Sequence, residues 1–252
     1  MPDRLTTPST QQLTTRIFAD GADLAGMLEM YAKPFIKGFT TNPTLMRKAG
    51  ISDYRTFARE VLRAIPDRPI SFEVFSDDFA EMEAQALEIA SWGGHVNVKV
   101  PVTNTRGEFA GRLISSLSRQ GVFLNITALM TADQVRRVTD ALQGPARAFV
   151  SVFAGRIADT GRDPLPIMAD AVAIVNRRPG TELIWASPRE LLNIFQADAV
   201  GCHVITATND ILKKLDGVGK DLDQFSLETV EMFRRDALAA GFRIEPAFTA
   251  GR

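Results

Sequence analysis

Short apolar runs alternate with amphipathic stretches along nearly the whole chain. The apolar runs fall at 16–20, 35–40, 69–74, 95–101, 122–127, 147–153, 182–186 and 203–206. Their brevity and their content of Val, Ile and Phe predict buried strands. The stretches between them carry helical periodicity. Over 77–92, for example, Phe79, Met82, Ala86, Ile89 and Ala90 share one face. Thr131 to Gln134 reads as a capping box, and so does Ser187 to Glu190 with Pro188 at the first helical position. A last amphipathic helix is predicted over 221–240, with Leu222, Phe225, Leu227, Val230 and Phe233 as the apolar face that packs on the barrel or on another subunit. Strands that alternate with helices pair in parallel, because parallel neighbours need a long crossover. Eight such repeats predict an α/β fold, a single (β/α)8 TIM barrel with an additional C-terminal helix. On this reading 1–15 is a polar, frayed N-terminal extension and 16–252 the catalytic domain. The competing architecture, an open doubly wound sheet, would normally bring a Gly-rich phosphate loop. Neither G-x-G-x-x-G nor G-x-x-x-x-G-K-[ST] occurs.

Composition narrows the function. Of 252 residues 45% are hydrophobic, enough for a sizeable core. With 29 basic against 30 acidic residues, the net charge of -1 gives no electrostatic case for nucleic acid or an anionic membrane surface. The single cysteine, Cys202, excludes an intrachain disulfide and a Cys-pair zinc site, and two histidines, His95 and His203, argue against a multi-His metal centre. The polar start of the chain lacks the apolar segment of a secretory signal, and no apolar run reaches the roughly 18 residues of a membrane span. The expectation is a soluble, cytoplasmic protein.

In a (β/α)8 barrel chemistry sits at the C-terminal ends of the strands. Polar residues lie there in nearly every repeat: Asp20, Asn42, Glu73, Lys99, Asn125 with Thr127, Ser151, then Arg156, Ser187 and Arg189. Lys99 is the sharpest signal. It is one of seven lysines and sits between Val98 and Val100 in a β-branched run. An apolar setting disfavours the ammonium form, and the neutral amine attacks carbonyls to give a Schiff base. The bland alternative is an ion pair or a lysine snorkelling to the barrel mouth. Lys37, near the start of its segment, is expected to face helices or solvent. Asp20 and Glu73 are suited to the proton transfers that Schiff-base chemistry requires. Their alternatives are a helix N-cap for Asp20 and a buried salt bridge to an arginine for Glu73. Arg156, Ser187 and Arg189 read as an anion site, two guanidinium forks beside a helix start, although Ser187 alone could be a simple cap. Gly38, Gly107 and Gly201 suit turns or tight packing. Cys202 suits a small buried position, and the two histidines suit structural places at strand starts.

The segments KGFTTNPTLM, VNVKVPVT, LNITALMT, VSVFAGRI and WASPRE together resemble the transaldolase family, class I aldolases with a Schiff-base lysine on the fourth barrel strand. The resemblance runs from about residue 17 to 244. It implies that Lys99 forms the Schiff base with a ketose, that Asp20 deprotonates the donor's C4 hydroxyl, and that Glu73 and Thr127 hold a proton-relaying water. It further implies that Asn42, Asn125 and Ser151 bind the dihydroxyacetone part and that Arg156, Ser187 and Arg189 take the sugar phosphate. No metal or organic cofactor is implied. Sugar phosphates are the implied substrates, nucleic acid and membrane are not partners, and the assembly is a homo-oligomer. In the fructose-6-phosphate aldolase branch, glutamine and tyrosine fill the places of Glu73 and Phe153. Here both residues are of the transaldolase type, and an apolar Phe153 suits an enzyme that must keep its enamine from stray protonation. Three positions depart from the family pattern: Gly21 after Asp20, and Trp185 and Pro188, which the sequence sets beside the phosphate site. They leave open a specialised sugar substrate. The competing readings are an aldolase that releases dihydroxyacetone and a sugar-phosphate-binding barrel without catalysis, the last disfavoured because Lys99, Asp20 and Glu73 are all present.

Overall fold

A computed structural model describes residues 10–244. Eight parallel strands close into a barrel in sequence order. They are β1 (Arg16–Asp20), β2 (Ile36–Thr40), β3 (Ile70–Glu73), β4 (Val96–Pro101), β5 (Leu124–Leu129), β6 (Ala148–Val152), β7 (Thr181–Trp185) and β8 (Val204–Thr208). The chain crosses between them through α1 (Leu24–Tyr31), α2 (Pro43–Lys48), α3 (Tyr54–Ala64), α4 (Phe79–Ala90), α5 (Gly111–Arg119), α6 (Ala132–Ala141), α7 (Ala154–Ala158), α8 (Leu165–Val175) and α9 (Leu192–Ala199). Short α10 (Asn209–Leu212) follows β8. The eight predicted runs all became strands, with ends shifted by at most two residues.

Two compact units divide the chain, and the barrel lies in Gln11–Leu215. The C-terminal unit contains α11 (Leu222–Ala239), capped by the Asp221 side chain on the Gln224 amide. None of the α11 residues is buried. Among the described residues no helix is long and apolar enough to cross a membrane.

Two apolar layers follow from strand alternation. Outward-facing residues such as Val98, Val100, Ile126, Val150 and Val152 form the large cluster between sheet and helices. Inward-facing Phe18, Phe149, Ile184, Ala186 and Val204 form a separate plug inside the barrel. Phe18 meets Phe149 edge to face at 5.8 Å. Gly38 makes room for it: a Cβ there would stand 2.6 Å from the Phe18 ring.

Local signals fix the crossovers. Thr131 and Gln134 form the predicted capping box of α6, and Asp78 caps α4 through the amides of Ala80 and Glu81. The second predicted capping box does not form. Ser187 adopts φ +60°, outside the extended region an N-cap needs, and α9 begins only at Leu192. Asn193 takes over, accepting from the amides of Arg189 and Glu190 at 2.7 and 3.2 Å. The chain is also ordered earlier than predicted. The Thr14 and Thr15 amides donate to Asp198 at 2.8 and 2.9 Å, and the Thr15 hydroxyl donates to the Cys202 carbonyl. Residues 1–9 of the predicted extension lie outside the described residues. Cys202 is buried, and burial pushes its thiol up to about 12, so it is an inert packing group.

Candidate active site

Sheet register assembles the site at the C-terminal barrel mouth. Glu73 on β3 lies opposite Lys99 on β4, and Lys99 lies opposite Asn125 on β5. Alternation then points all three side chains inward as one row. Asp20, at the end of β1, lies opposite Thr40 on one side and Thr208 on the other. All eleven candidate residues line one cavity of about 640 Å³: Asp20, Asn42, Glu73, Lys99, Asn125, Thr127, Ser151, Phe153, Arg156, Ser187 and Arg189. Pro188 lines it too, but Trp185 does not. Trp185 is fully buried in the outer cluster, while Ile184 and Ala186 face inward, so one step of alternation removes it from the site.

The Lys99 side chain is 7% exposed, and its Nζ sits 3.1 Å from Glu73 Oε2. Nζ also donates to the Thr41 carbonyl at 2.9 Å. The lysine therefore stands between an acid and a peptide oxygen, and Glu73 is the group placed to exchange a proton with it. The salt-bridge alternative for Glu73 is realised with Lys99, and among the described residues not with an arginine.

Asp20 is not a helix cap, for Asp23 caps α1. Its Oδ1 accepts from the Thr40 hydroxyl at 2.7 Å and its Oδ2 from the Asn42 amide at 3.3 Å. The Thr206 hydroxyl lies 2.6 Å from that of Thr40, extending the chain of hydroxyls. Burial raises the Asp20 pKa above the ordinary carboxylate range, while the Lys99 charge and the two donors oppose the rise. Asn42 serves twice, since its Oδ1 caps α2 on the Leu45 amide with Pro43 at the first turn.

Asn125 is oriented on both sides. Its amide donates to the Ser71 hydroxyl at 3.0 Å, and its carbonyl accepts from Ser151 at 2.7 Å. Thr127 lines the cavity and is 2% exposed, and its hydroxyl has no hydrogen-bond partner among the described residues. A register shift between Ile126 and Leu129 leaves Ala128 at φ +66° beside it. Ala128 and Ser187 are the two non-glycine residues at positive φ among those described, and both line the cavity. Backbone strain of this kind gathers where a site over-determines the chain.

The three anion-site candidates differ. Arg156 makes no ion pair among the described residues, and its guanidinium lies 5.9 Å from the Phe153 ring centroid. Arg189 is held by Asp159 in a fork, Nε to Oδ1 at 2.9 Å and Nη2 to Oδ2 at 2.5 Å. That fork keeps the Asp159 carboxyl below its usual range. Ser187 is pressed on Gly155, where a Cβ would come 1.6 Å from the Ser187 carbonyl oxygen. No residue but glycine fits there, so the loop ends after β6 and β7 are locked together.

Several positions escaped the sequence reading. Ser71 lies two residues before Glu73, on the same inward face, and was masked by the stronger signal. Tyr54 on α3 accepts from the Glu73 amide at 2.7 Å and donates to its carbonyl at 3.1 Å. Burial raises its hydroxyl pKa. Nothing local marks it, because the contact spans 19 residues. Lys48 and Asp210 add charges at the cavity rim. Among the described residues no group of three or more His, Cys, Asp or Glu is placed to hold a metal ion.

A family model described as transaldolase/fructose-6-phosphate aldolase matches residues 17–247. A probable transaldolase of Dehalococcoides mccartyi is 36% identical over 201 residues, 79% of this chain and 89% of that protein. A probable transaldolase of a Thermoanaerobacter species is 32% identical over 230 residues, 91% of this chain and all of that protein. A crystal structure of dihydrodipicolinate synthase from Rhodopseudomonas palustris superposes with a TM-score of 0.56 at 12% identity, covering 94% of this chain and 93% of that one. At that identity the likeness is one of fold alone.

Proposed function

Because the chain belongs to the transaldolase/fructose-6-phosphate aldolase family, we propose that it transfers a dihydroxyacetone unit from a ketose phosphate to an aldose phosphate through a Schiff base on Lys99. The observation that carries this reading is the pairing of Lys99 with Glu73 at 3.1 Å in a cavity whose other wall holds a carboxylate with raised pKa.

In this proposal Glu73 takes a proton from Lys99, and the freed amine attacks the ketose C2 carbonyl. The carbinolamine loses water, with the proton supplied through Glu73 and a water that the unpartnered Thr127 hydroxyl would hold. Asp20 then accepts the proton of the C4 hydroxyl. The C3–C4 bond breaks, its electrons pass into the iminium to give an enamine, and the aldose phosphate leaves. An incoming aldehyde reverses these steps. The raised Asp20 pKa supports this role, since a carboxylate that takes up a proton readily is the better base and must later return it. Asn125, fixed by Ser71 and Ser151, and Asn42 would bind the dihydroxyacetone hydroxyls. Arg156 is the guanidinium open to a phosphate, with Arg189 held beside it by Asp159. No metal or organic cofactor enters this scheme, and sugar phosphates are its substrates.

Phe153 brings no hydroxyl to the enamine and packs against the inner plug, which supports transfer over release. Coupled assays on fructose 6-phosphate with and without erythrose 4-phosphate test the point. Glyceraldehyde 3-phosphate should accumulate beyond one equivalent per active site only with the acceptor present. Sustained release of dihydroxyacetone without acceptor would make the protein an aldolase.

A further inference from the structure

The other end of the barrel holds a second cavity, of about 280 Å³, lined by residues at or just before the strand starts. The Phe18–Phe149–Ile184 plug lies between it and the row of Glu73, Lys99 and Asn125. Nothing in it depends on Lys99. In (β/α)8 barrels this face ordinarily serves stability, and a polar cavity there calls for an explanation.

Two observations supply one. The first is charge. Arg16, Lys37 and Arg147 line the cavity against one carboxylate, Glu182. Glu182 is shared, meeting Arg16 Nη2 at 2.6 Å through Oε2 and Arg147 Nη2 at 3.4 Å through Oε1. Lys37 Nζ donates to the Pro34 carbonyl at 2.8 Å and has no counter-ion among the described residues. Three cations and one anion leave a formal excess of two positive charges.

The second is Asn97. It lies two residues before Lys99 on the same inward face, lines this cavity, and is 7% exposed. Its Nδ2 is buried with no hydrogen-bond partner among the described residues. Buried amide donors are nearly always satisfied, because an orphan carries its full desolvation cost. The group that would satisfy it must accept hydrogen bonds. The cations around it favour an acceptor that is also negative, and Arg and Lys donors to such oxygens make the stronger, charge-assisted bonds.

We infer that this cavity is an accessory site for a small oxyanion, a phosphate group either free or as the ester of a small metabolite, bound by Asn97, Arg16, Lys37 and Arg147. Glu182 positions the two guanidiniums in it. The cavity lies just below the size of pockets that take drug-sized ligands, roughly 300 Å³ and more, and so suits a ligand of a few heavy atoms beyond the phosphate.

The test uses full-length protein carrying Arg156→Ala, which removes the open cation of the catalytic cavity. Inorganic phosphate is titrated by calorimetry, and the Asn97 side-chain amide is followed by NMR. The expected result is saturable binding with a shift of that amide resonance. Adding Lys37→Gln and Arg147→Gln, both at exposed positions that should not disturb folding, should weaken binding by at least about tenfold, the worth of one charge-assisted bond. Glycerol 3-phosphate in place of phosphate identifies the source. Tighter binding assigns the site to a phosphate ester, and equal or weaker binding assigns it to the free ion. Absence of saturable binding by either, or binding indifferent to the Lys37 and Arg147 changes, would overturn the inference and leave Asn97 to a trapped water.

Discussion

Asp20→Asn is the most discriminating substitution, because it separates carbinolamine chemistry from carbon–carbon cleavage. The amide keeps the shape of the carboxylate and an oxygen for the Thr40 hydroxyl, now 2.7 Å away. It loses the capacity to accept the C4 proton. Removing a positioned general base typically costs about 10²–10⁴ in rate, or about 2.7–5.4 kcal/mol of transition-state stabilisation. Adduct formation at Lys99 should survive, and turnover should fall by that factor. The assay is a single-turnover reaction with fructose 6-phosphate, reading adduct by mass and aldose release by a coupled enzyme. A stability effect of opposite sign should accompany it. The folded state raises the Asp20 pKa from 3.8, so the ionised carboxylate is the disfavoured form in the fold. The penalty is absent below 3.8, grows as the pH rises through the folded value, and is complete above it. The variant should therefore melt higher than the parent at neutral pH, and the gap should close on acidification. Cleavage within about tenfold of the parent, with normal adduct, would refute the role given to Asp20. A variant less stable at neutral pH than in acid, relative to the parent, would refute the electrostatic account.

Further outcomes follow from single contacts. Gly38→Ala drives a Cβ to 2.6 Å from the Phe18 ring and should cost about 1–3 kcal/mol in chemical denaturation, and an unchanged midpoint would show the ring to be mobile. Tyr54→Phe deprives the Glu73 amide and carbonyl of the hydroxyl that bridges them, and should destabilise by about 1–3 kcal/mol. Equal stability would mean that water replaces that hydroxyl. Arg156→Ala should raise KM for fructose 6-phosphate by about 10–150-fold, as expected for a charged hydrogen bond of about 1.5–3 kcal/mol, with a smaller effect on unphosphorylated fructose. Arg189→Ala should do less, since its guanidinium is already paired with Asp159. The reverse order would exchange the two arginines in the account.

The sequence was most legible where chemistry interrupts a strong pattern. Lys99 between valines, and Glu73 and Asp20 at strand ends, stood out because alternation in a closed parallel barrel leaves little choice of face. The eight strands were legible for the same reason. What failed was local geometry set by distant packing. Ser187 has the residues of a cap, yet contact of its carbonyl with Gly155 fits a left-handed backbone instead, and the helix starts later. Trp185 looked like a neighbour of the phosphate site, but one register step sends it to the outer core. Lys37, by contrast, is exposed as expected, at the strand-start end of the barrel. Tyr54 and Asp159 act on residues 19 and 30 positions away, and no local periodicity encodes such pairings.

Trapping with a reductant shows whether Lys99 forms a Schiff base. The protein is incubated with fructose 6-phosphate, reduced with borohydride, and read by intact mass and peptide mapping. One reduced adduct per chain is expected, on the peptide that contains Lys99, and none in Lys99→Ala. An adduct on any other lysine, or none with any ketose phosphate, would contradict a Schiff base on Lys99.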